Sequence, residues 1–324
     1  MKAILVNSDR SLSWSDVPDP VIKPDEALVK IHAAGINRAD LMQREGNYPP
    51  PPGCPEWMGL EVSGEIVALG SECARWSIGD KVCALLGGGG YAEYVAVRHD
   101  MLMSVPEGVT MEEAAAIPEA FATAYLNMFL EGKAKSGDTL LMNAGASGLA
   151  SVVIPMAKAF GLRVITTVRE DSDVEAIGHL GADIIVQTKR ESITEALKCE
   201  YEAGRGVDIT IDCLGGEIMG KCLHFLSHGA RWIMIATLAG AVTEIDLANV
   251  FRRNVRVIGS TLRSRAPSFK AELLASLERD VWPKVTTGEV RPTIYKILPI
   301  TEAEAAQNIL YTGENVGKVV LKVI

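Results

Sequence analysis

A small-residue turn is the clearest chemical feature of the sequence. Between an apolar run and a helical pattern stand Gly145, Ala146, Ser147, Gly148 and Leu149. Small side chains let a pyrophosphate reach backbone N–H groups at the positive end of a helix. Ser147 and Ala150 replace the second and third glycines of the G-x-G-x-x-G pattern. The turn therefore predicts a dinucleotide site only together with the β/α alternation that follows, and a plain strand-to-helix turn is the alternative.

A basic residue follows the second predicted strand of that alternation. Enzymes that use NAD commonly place a carboxylate there to hold the ribose hydroxyls. Here Val168 is followed by Arg169, and a guanidinium pairs with a 2′-phosphate through two parallel hydrogen bonds. This favours NADPH. The alternative is that the neighbouring acids neutralise Arg169, since Glu170, Asp171 and Asp173 share the same turn.

Three regions of the chain position these residues. Between residues 137 and 262 helical stretches alternate with strand-like runs at 139–143, 163–168, 184–187, 207–213, 231–237 and 255–261. That alternation predicts a parallel sheet covered by helices. The first 120 residues are β-rich, with strands predicted at 26–34, 61–69, 81–86 and 91–97. The last 60 or so add a helix near 268–281, a strand at 293–298, a helix from about Thr301 with capping-box spacing, and a strand at 318–323.

Composition excludes several classes of function. The 324 residues carry 32 Lys and Arg against 41 Asp and Glu, a net charge of −9, so nucleic acid is not expected as a partner. The six cysteines form no C-x-x-C pair, and neither they nor the five histidines have metal-ligand spacing, so no metal site is expected. Scattered cysteines of this kind predict that the protein works in a reducing cytoplasm. The uncharged stretch 139–157 contains polar residues and a proline, so no membrane span is expected.

Three motifs together resemble a known family. They are N-R-A-D-L-x-Q-R at 37–44, I-P-E-A at 117–120 and L-R-S-R at 262–265. The sequence resembles the zinc-free quinone oxidoreductase (zeta-crystallin-like) branch of the medium-chain dehydrogenase/reductases, and within it the p53-inducible type. The likeness spans the chain.

The resemblance implies an α/β fold with a doubly wound Rossmann sheet and a β-rich GroES-like catalytic domain. The expected domains are 1–120 (catalytic), 121–262 (NADP-binding) and 263–324, which returns to the catalytic domain. It also implies zinc-free hydride transfer from NADPH to a quinone, and a homodimer formed by edge pairing near 255–261. Reduction of enones or enoyl compounds, and NADPH binding without catalysis, remain alternatives.

The resemblance also assigns roles to individual residues. Zinc-dependent relatives have a cysteine at the position of Asn37 and a histidine at that of Leu60. Tyr48, Asn37 and Thr123 are expected at the reacting centre, with a packing role for Tyr48 and a turn-stabilising role for Asn37 as alternatives. Expected contacts to the cofactor are Tyr48, Thr123, residues 145–149, Arg169, Arg263, Asn315 and Lys318, the last with an exposed strand-end charge as alternative. Two departures stand out, since Ser172 and Asp173 occupy the region of the family's phosphate-binding lysine and Ala150 replaces a glycine.

Overall fold

The computed structural model describes residues 1–323, which divide into two units. Unit 1 comprises Met1–Ala122, Arg263–Gly288 and the chain from Pro292 onward. Unit 2 comprises Thr123–Leu262 and Glu289–Arg291. Each unit is built on its own sheet.

Unit 1 is β-rich. Its strands are β1 (Lys2–Val6), β2 (Leu12–Asp16), β3 (Glu26–Gly35), β4 (Glu61–Leu69), β5 (Lys81–Leu85), β6 (Tyr94–Arg98), β7 (Leu102–Ser104), β14 (Ile294–Pro299) and β15 (Lys318–Lys322). Its helices are α1 (Arg38–Arg44), α2 (Met111–Ala114), α9 (Pro267–Thr286) and α10 (Ala303–Thr312), and α3 (Pro118–Tyr125) contains the boundary between the units. The main sheet has the order β14-β15-β3-β4-β5-β7, with β6 pairing to β3. The long strand β3 thereby brings β15 next to α1.

Unit 2 is a parallel sheet covered by helices. Its strands are β8 (Thr139–Met142), β9 (Arg163–Val168), β10 (Ile184–Gln187), β11 (Val207–Asp212), β12 (Leu226–Met234) and β13 (Arg256–Gly259). Its helices are α4 (Ala150–Ala159), α5 (Asp171–Ile177), α6 (Ile193–Glu202), α7 (Ile218–Cys222) and α8 (Leu247–Arg253), preceded by a π-helical segment, Leu126–Glu131.

The strand order β10-β9-β8-β11-β12-β13 is the doubly wound arrangement, in which all neighbouring strands are parallel and the strand order reverses between β8 and β11. Buried side chains such as Leu141, Ile165 and Trp232 form the core between the sheet and its helices. Ligands of open α/β sheets bind outside the carboxyl ends of the strands at this reversal. The predicted fold class, a Rossmann sheet with a β-rich second part, is confirmed.

Several predicted element bounds were wrong. The strand predicted at 91–97 begins at Tyr94, because residues 91–93 instead make hydrogen bonds with Met58, Lys2 and Ile31. The strand predicted at 231–237 runs from Leu226 to Met234. The expected capping box at Thr301 is absent, since a 3-10 turn, Ile300–Glu302, leads into α10 without a side-chain cap.

Among residues 1–323, no helix has both the length and the apolar character needed to cross a membrane.

Candidate active site

A buried lysine organises the end of β3 in unit 1. The Lys318 Nζ lies 2.6 Å from Glu61 Oε1 and donates to Asn37 Oδ1 at 2.7 Å and to the Ile36 carbonyl at 3.0 Å. The Asn37 Nδ2 donates to the same Glu61 oxygen at 2.9 Å. Lys318 is 4% exposed and Glu61 is fully buried. The Asn37 amide is therefore fixed on both sides by charged groups, and Lys318 is not an exposed strand-end residue.

Asp40 joins α1 to two neighbouring loops. Its Oδ2 accepts the Asn37 N–H at 2.8 Å and the Tyr91 hydroxyl at 2.9 Å, and its Oδ1 accepts the Gly59 N–H at 3.1 Å. Gly59 has φ +107° and touches the Gly90 backbone so closely that a Cβ atom would lie 2.6 Å from it. Burial raises the pKa of Asp40 to about 6, although its hydrogen bonds and Lys318 oppose this.

Glu119 adds a further acid to this cluster. Its backbone N–H, in the first turn of α3, donates to Glu61 Oε2 at 2.8 Å. Burial, followed by the charge of Glu61, raises the pKa of Glu119 to about 7, while Lys318 and Lys270 oppose the rise. A carboxyl group with this pKa exchanges a proton near neutral pH.

Tyr48 is held by Arg263. The Arg263 guanidinium carbon lies 4.5 Å from the centre of the Tyr48 ring, and Nη1 donates to the Tyr48 carbonyl at 3.1 Å. Nη2 also donates to Gln43 Oε1 at 2.9 Å and to the Gly87 carbonyl at 2.7 Å. Burial raises the pKa of the Tyr48 phenol, partly offset by the charge of Arg263. Arg263 thus fixes the Tyr48 loop to the Gly87 loop, a role that the sequence did not reveal.

The glycine-rich turn of unit 2 leaves backbone donors available. Ser147 donates its N–H to the Ala144 carbonyl, and its Oγ accepts the Ala150 N–H at 3.1 Å, which starts α4. The N–H groups of Ala146, Gly148 and Leu149 have no acceptor within the described part of the chain. A Cβ atom on Gly145 would lie 2.5 Å from Thr166 Oγ1, so the close approach of turn and strand requires glycine. These features fit a pyrophosphate at the helix N-terminus.

Two polar residues meet where the strand order of the parallel sheet reverses, between β8 and β11. Asn143 follows β8 and its Nδ2 donates to Asp212 Oδ1, at the end of β11, at 3.1 Å. Asp212 also accepts the backbone N–H groups of Leu214 and Gly215 and the Trp232 indole. The Asn143 Oδ1 is buried without a hydrogen-bond partner among residues 1–323. A buried amide oxygen of this kind fits a donor on a ligand at the carboxyl edge of the sheet.

The acids around Arg169 have other partners. Glu170 forms an ion pair with Lys189, and Asp171 forms one with Arg190. The Asp173 carboxylate accepts the Glu170 N–H at 3.2 Å. Arg169 is exposed and has no ion pair among residues 1–323. Its guanidinium therefore remains available for an anionic group at the end of β9.

The other expected residues have local contacts. Thr123 lies in α3, and its carbonyl accepts the Asn127 Nδ2 at 2.7 Å at the start of the π-helical segment. The Asn315 Nδ2 donates to the Gly317 carbonyl at 2.7 Å, which fixes the turn before β15. The structure thus brings Asn37 and Lys318 together and places Tyr48 on Arg263.

Comparison with known proteins identifies the family. Residues 23–107 match the alcohol dehydrogenase GroES-like domain, and residues 148–279 match the zinc-binding dehydrogenase family. The crystallised quinone oxidoreductase from Thermus thermophilus, also determined as a complex with NADPH, is 31% identical with a TM-score of 0.83, covering 100% of both chains. The chain belongs to the medium-chain dehydrogenase/reductase superfamily, in its zinc-free quinone oxidoreductase branch.

Two further similarities agree with this membership. Human quinone oxidoreductase is 28% identical over 309 residues, which cover 95% of this chain and 92% of the human protein. The crystal structure of an NAD-dependent alcohol dehydrogenase has a TM-score of 0.85 and 27% identity, covering 100% of both chains. Both activities occur on this superfamily's fold, so the residues of the site must decide between them.

The residues present do not fit a catalytic zinc ion. The two positions that the family resemblance equates with zinc ligands hold Asn37, whose Oδ1 lies 2.7 Å from the Lys318 ammonium, and the buried, apolar Leu60. A cationic neighbour opposes a divalent cation at Asn37, and Leu60 has no donor atom. Among residues 1–323, no three or more His, Cys, Asp and Glu side chains are grouped so as to hold a metal ion.

Proposed function

We propose that this protein is a zinc-independent, NADPH-dependent quinone reductase. The observation that carries the proposal is the Asn37 amide, which stands at a zinc-ligand position and is held by Lys318 and Glu61 instead of a metal. Membership of the quinone oxidoreductase branch supports the reaction type. A quinone accepts a hydride readily, so positioning and exclusion of water suffice without a Lewis acid.

NADPH, when bound, supplies the hydride. The residues of this chain bind the cofactor and the quinone and orient them toward each other. The N–H groups of Ala146, Gly148 and Leu149 bind the pyrophosphate, with Gly145 allowing its close approach. Arg169 pairs with the 2′-phosphate, since the nearby carboxylates pair with Lys189 and Arg190. In unit 1, Tyr48 orients the reactants and its hydroxyl donates a hydrogen bond to the developing quinolate oxygen.

The test measures consumption of NADPH and of NADH with an ortho-quinone, with and without a chelator. We expect preference for NADPH and rates that the chelator does not change. Arg169→Ala should raise KM for NADPH about tenfold or more, since it removes a charge-assisted pair, and should leave KM for NADH nearly unchanged. Lys189→Ala, which removes a neighbouring cation already paired with Glu170, is the matched control. A preference for NADH would contradict the role of Arg169 and move the ribose site to Glu170 or Asp171.

We also propose that the protein forms a homodimer through the edge of the unit 2 sheet. Among residues 1–323, strand β13 pairs only with β12, and Val257 on it is 47% exposed. An unpaired apolar edge favours pairing with a second copy. Sedimentation velocity at working concentration tests this, and a monomer would exclude it.

A further inference from the structure

A cavity of about 890 Å³ opens in unit 1 beside the Tyr48 loop. Its walls are predominantly apolar and are formed by Pro49, Pro50, Pro51, Pro52, Leu85, Leu86, Val97 and Met101. Its volume is in the range of cavities that hold small molecules. Tyr48 itself lines the cavity, so a molecule bound in this space can contact Tyr48.

The charges around the cavity are unusual for an acidic protein. Five cationic side chains line it, namely Lys23, Arg98, Arg263, Arg265 and Lys270, against the single carboxylate of Glu26. The whole chain has a net charge of −9. Two of the cations are neutralised nearby, because Lys23 pairs with Glu26 at 2.8 Å and Arg98 pairs with Asp25 and Asp100.

Arg263 and Lys270 differ from those two. The Lys270 Nζ donates to the Arg263 carbonyl at 2.7 Å, and the Arg263 guanidinium donates to two carbonyls and one amide oxygen. Within residues 1–323, neither cation has a carboxylate within 4.0 Å. Their acceptors are neutral, so both positive charges persist at the wall of the cavity.

Lys270 also has donors to spare. An ammonium group has three N–H donors, and the described contacts of Lys270 use one. Burial lowers the pKa of Lys270, and the charge of Glu119 opposes this only in part, because Glu119 lies beyond ion-pair distance. Such a group strongly favours an anionic ligand, because the ligand replaces the lost hydration.

We propose that this cavity is the distal substrate subsite and that Lys270 recognises an anionic group there, so that the preferred substrates are quinones with an acidic substituent. This proposal rests on the proposed quinone reductase function. The apolar walls contact the ring and its substituent, while Lys270 binds the carboxylate. Arg263, held by the Tyr48 and Gly87 loops, adds a fixed positive charge to the same wall.

The test compares two substrates that differ in one charge, a methylnaphthoquinone carrying a propionate side chain and its methyl ester. We expect KM for the carboxylate to be about tenfold below KM for the ester at low ionic strength, and the ratio to shrink as salt increases. Lys270→Met should bring the ratio close to one, and Lys270→Arg should restore most of it because the charge returns. Lys23→Met, which removes a cation already paired with Glu26 in the same cavity, is the matched control and should leave the ratio near its wild-type value.

Equal KM values for the two quinones, or a ratio that Lys270→Met leaves unchanged in a folded variant, would overturn the proposal. Calorimetric titration with the same two compounds separates it from the proposed function. If neither quinone is reduced, the proposed function fails, yet tighter binding of the carboxylate that Lys270→Met abolishes would still support the subsite. If 2-naphthoate binds in a Lys270-dependent way but does not compete with the ester, the anion site serves a separate ligand and the substrate assignment is wrong.

Discussion

Replacing Lys318 by methionine should destabilise unit 1 strongly. The variant retains the length and apolar stem of the side chain but removes the charge that lies 2.6 Å from the fully buried Glu61 carboxylate. It also leaves Asn37 Oδ1 and the Ile36 carbonyl without their donor. Within the described part of the chain, Glu61 then keeps only the neutral donors Asn37 Nδ2 and the Glu119 N–H. Removal of one partner of a buried ion pair costs about 3–5 kcal/mol, and we expect a loss in that range.

A surface ion pair on the same strand provides the control. Lys322 pairs with Glu112 at 3.0 Å, with the lysine side chain 47% exposed. Exposed pairs contribute about 0–1 kcal/mol, so Lys322→Met should change the free energy of unfolding by no more than that. The contrast between the two variants isolates burial, because strand, residue type and substitution are the same.

Urea unfolding followed by tryptophan fluorescence measures both variants. Trp14, Trp57, Trp76 and Trp282 lie in unit 1 and only Trp232 lies in unit 2, so the signal reports mainly on unit 1. In a Glu61→Gln background, Lys318→Met should cost less than in the wild type, since no buried charge is then left unpaired. A loss below about 1 kcal/mol for Lys318→Met, or one equal to that of Lys322→Met, would refute the reasoning.

Two further predictions concern Tyr48 and Glu119. Tyr48→Phe should lower kcat with NADPH and an ortho-quinone by about tenfold or less, because the aromatic ring stacked on Arg263 remains. Tyr48→Ala should also raise KM. A loss of kcat above about a thousandfold in the phenylalanine variant would make the hydroxyl an essential acid. The pKa of Glu119 rises from 4.5 to about 7 on folding, so between these two pH values the folded state binds more protons than the unfolded state. The contribution of Glu119 to the free energy of unfolding is therefore present at low pH and lost as pH rises through about 7. Urea unfolding at about pH 5 and pH 8 should show that Glu119→Gln reduces this loss by about 1–3 kcal/mol, while the same change at exposed Glu107 should not.

Some strands are located at their exact bounds by the run of residue types alone. The sequence predicts β9 and β10 at the bounds that the structure shows, because each is an apolar or β-branched run ended by charged residues. It misplaces the start of β12, where Ser227, His228 and Gly229 interrupt the apolar pattern although they extend the strand. The ladder to β11 is irregular there, since Leu226 pairs with Val207 and the next paired residue, Arg231, with Ile209, and a pattern of side chains does not record such a bulge.

The candidate site is less accessible to sequence reasoning because its contacts are long-range. Lys318 follows a glycine at the start of a strand, which is typical of an exposed charge, yet its partner Asn37 is 281 positions away in the sequence. The raised pKa values of Asp40 and Glu119 result from burial, to which the charge of Glu61 adds for Glu119, and no local pattern encodes either. The resemblance places Asn37 and Lys318 at functional positions without indicating that they touch.

Arg263 shows how the two kinds of inference combine. The L-R-S-R motif suggests a contact to the cofactor, which stays a prediction, whereas the structure gives the guanidinium acceptors on three separate segments of unit 1. A buried guanidinium needs several acceptors in fixed directions, and loops that supply them are held in one arrangement. Tyr48 lies on one of those segments, so the orientation of its phenol depends on Arg263, which is 215 positions away in the sequence. The preorganisation that replaces a metal in the proposed reaction therefore begins with the packing of Arg263, before any ligand binds.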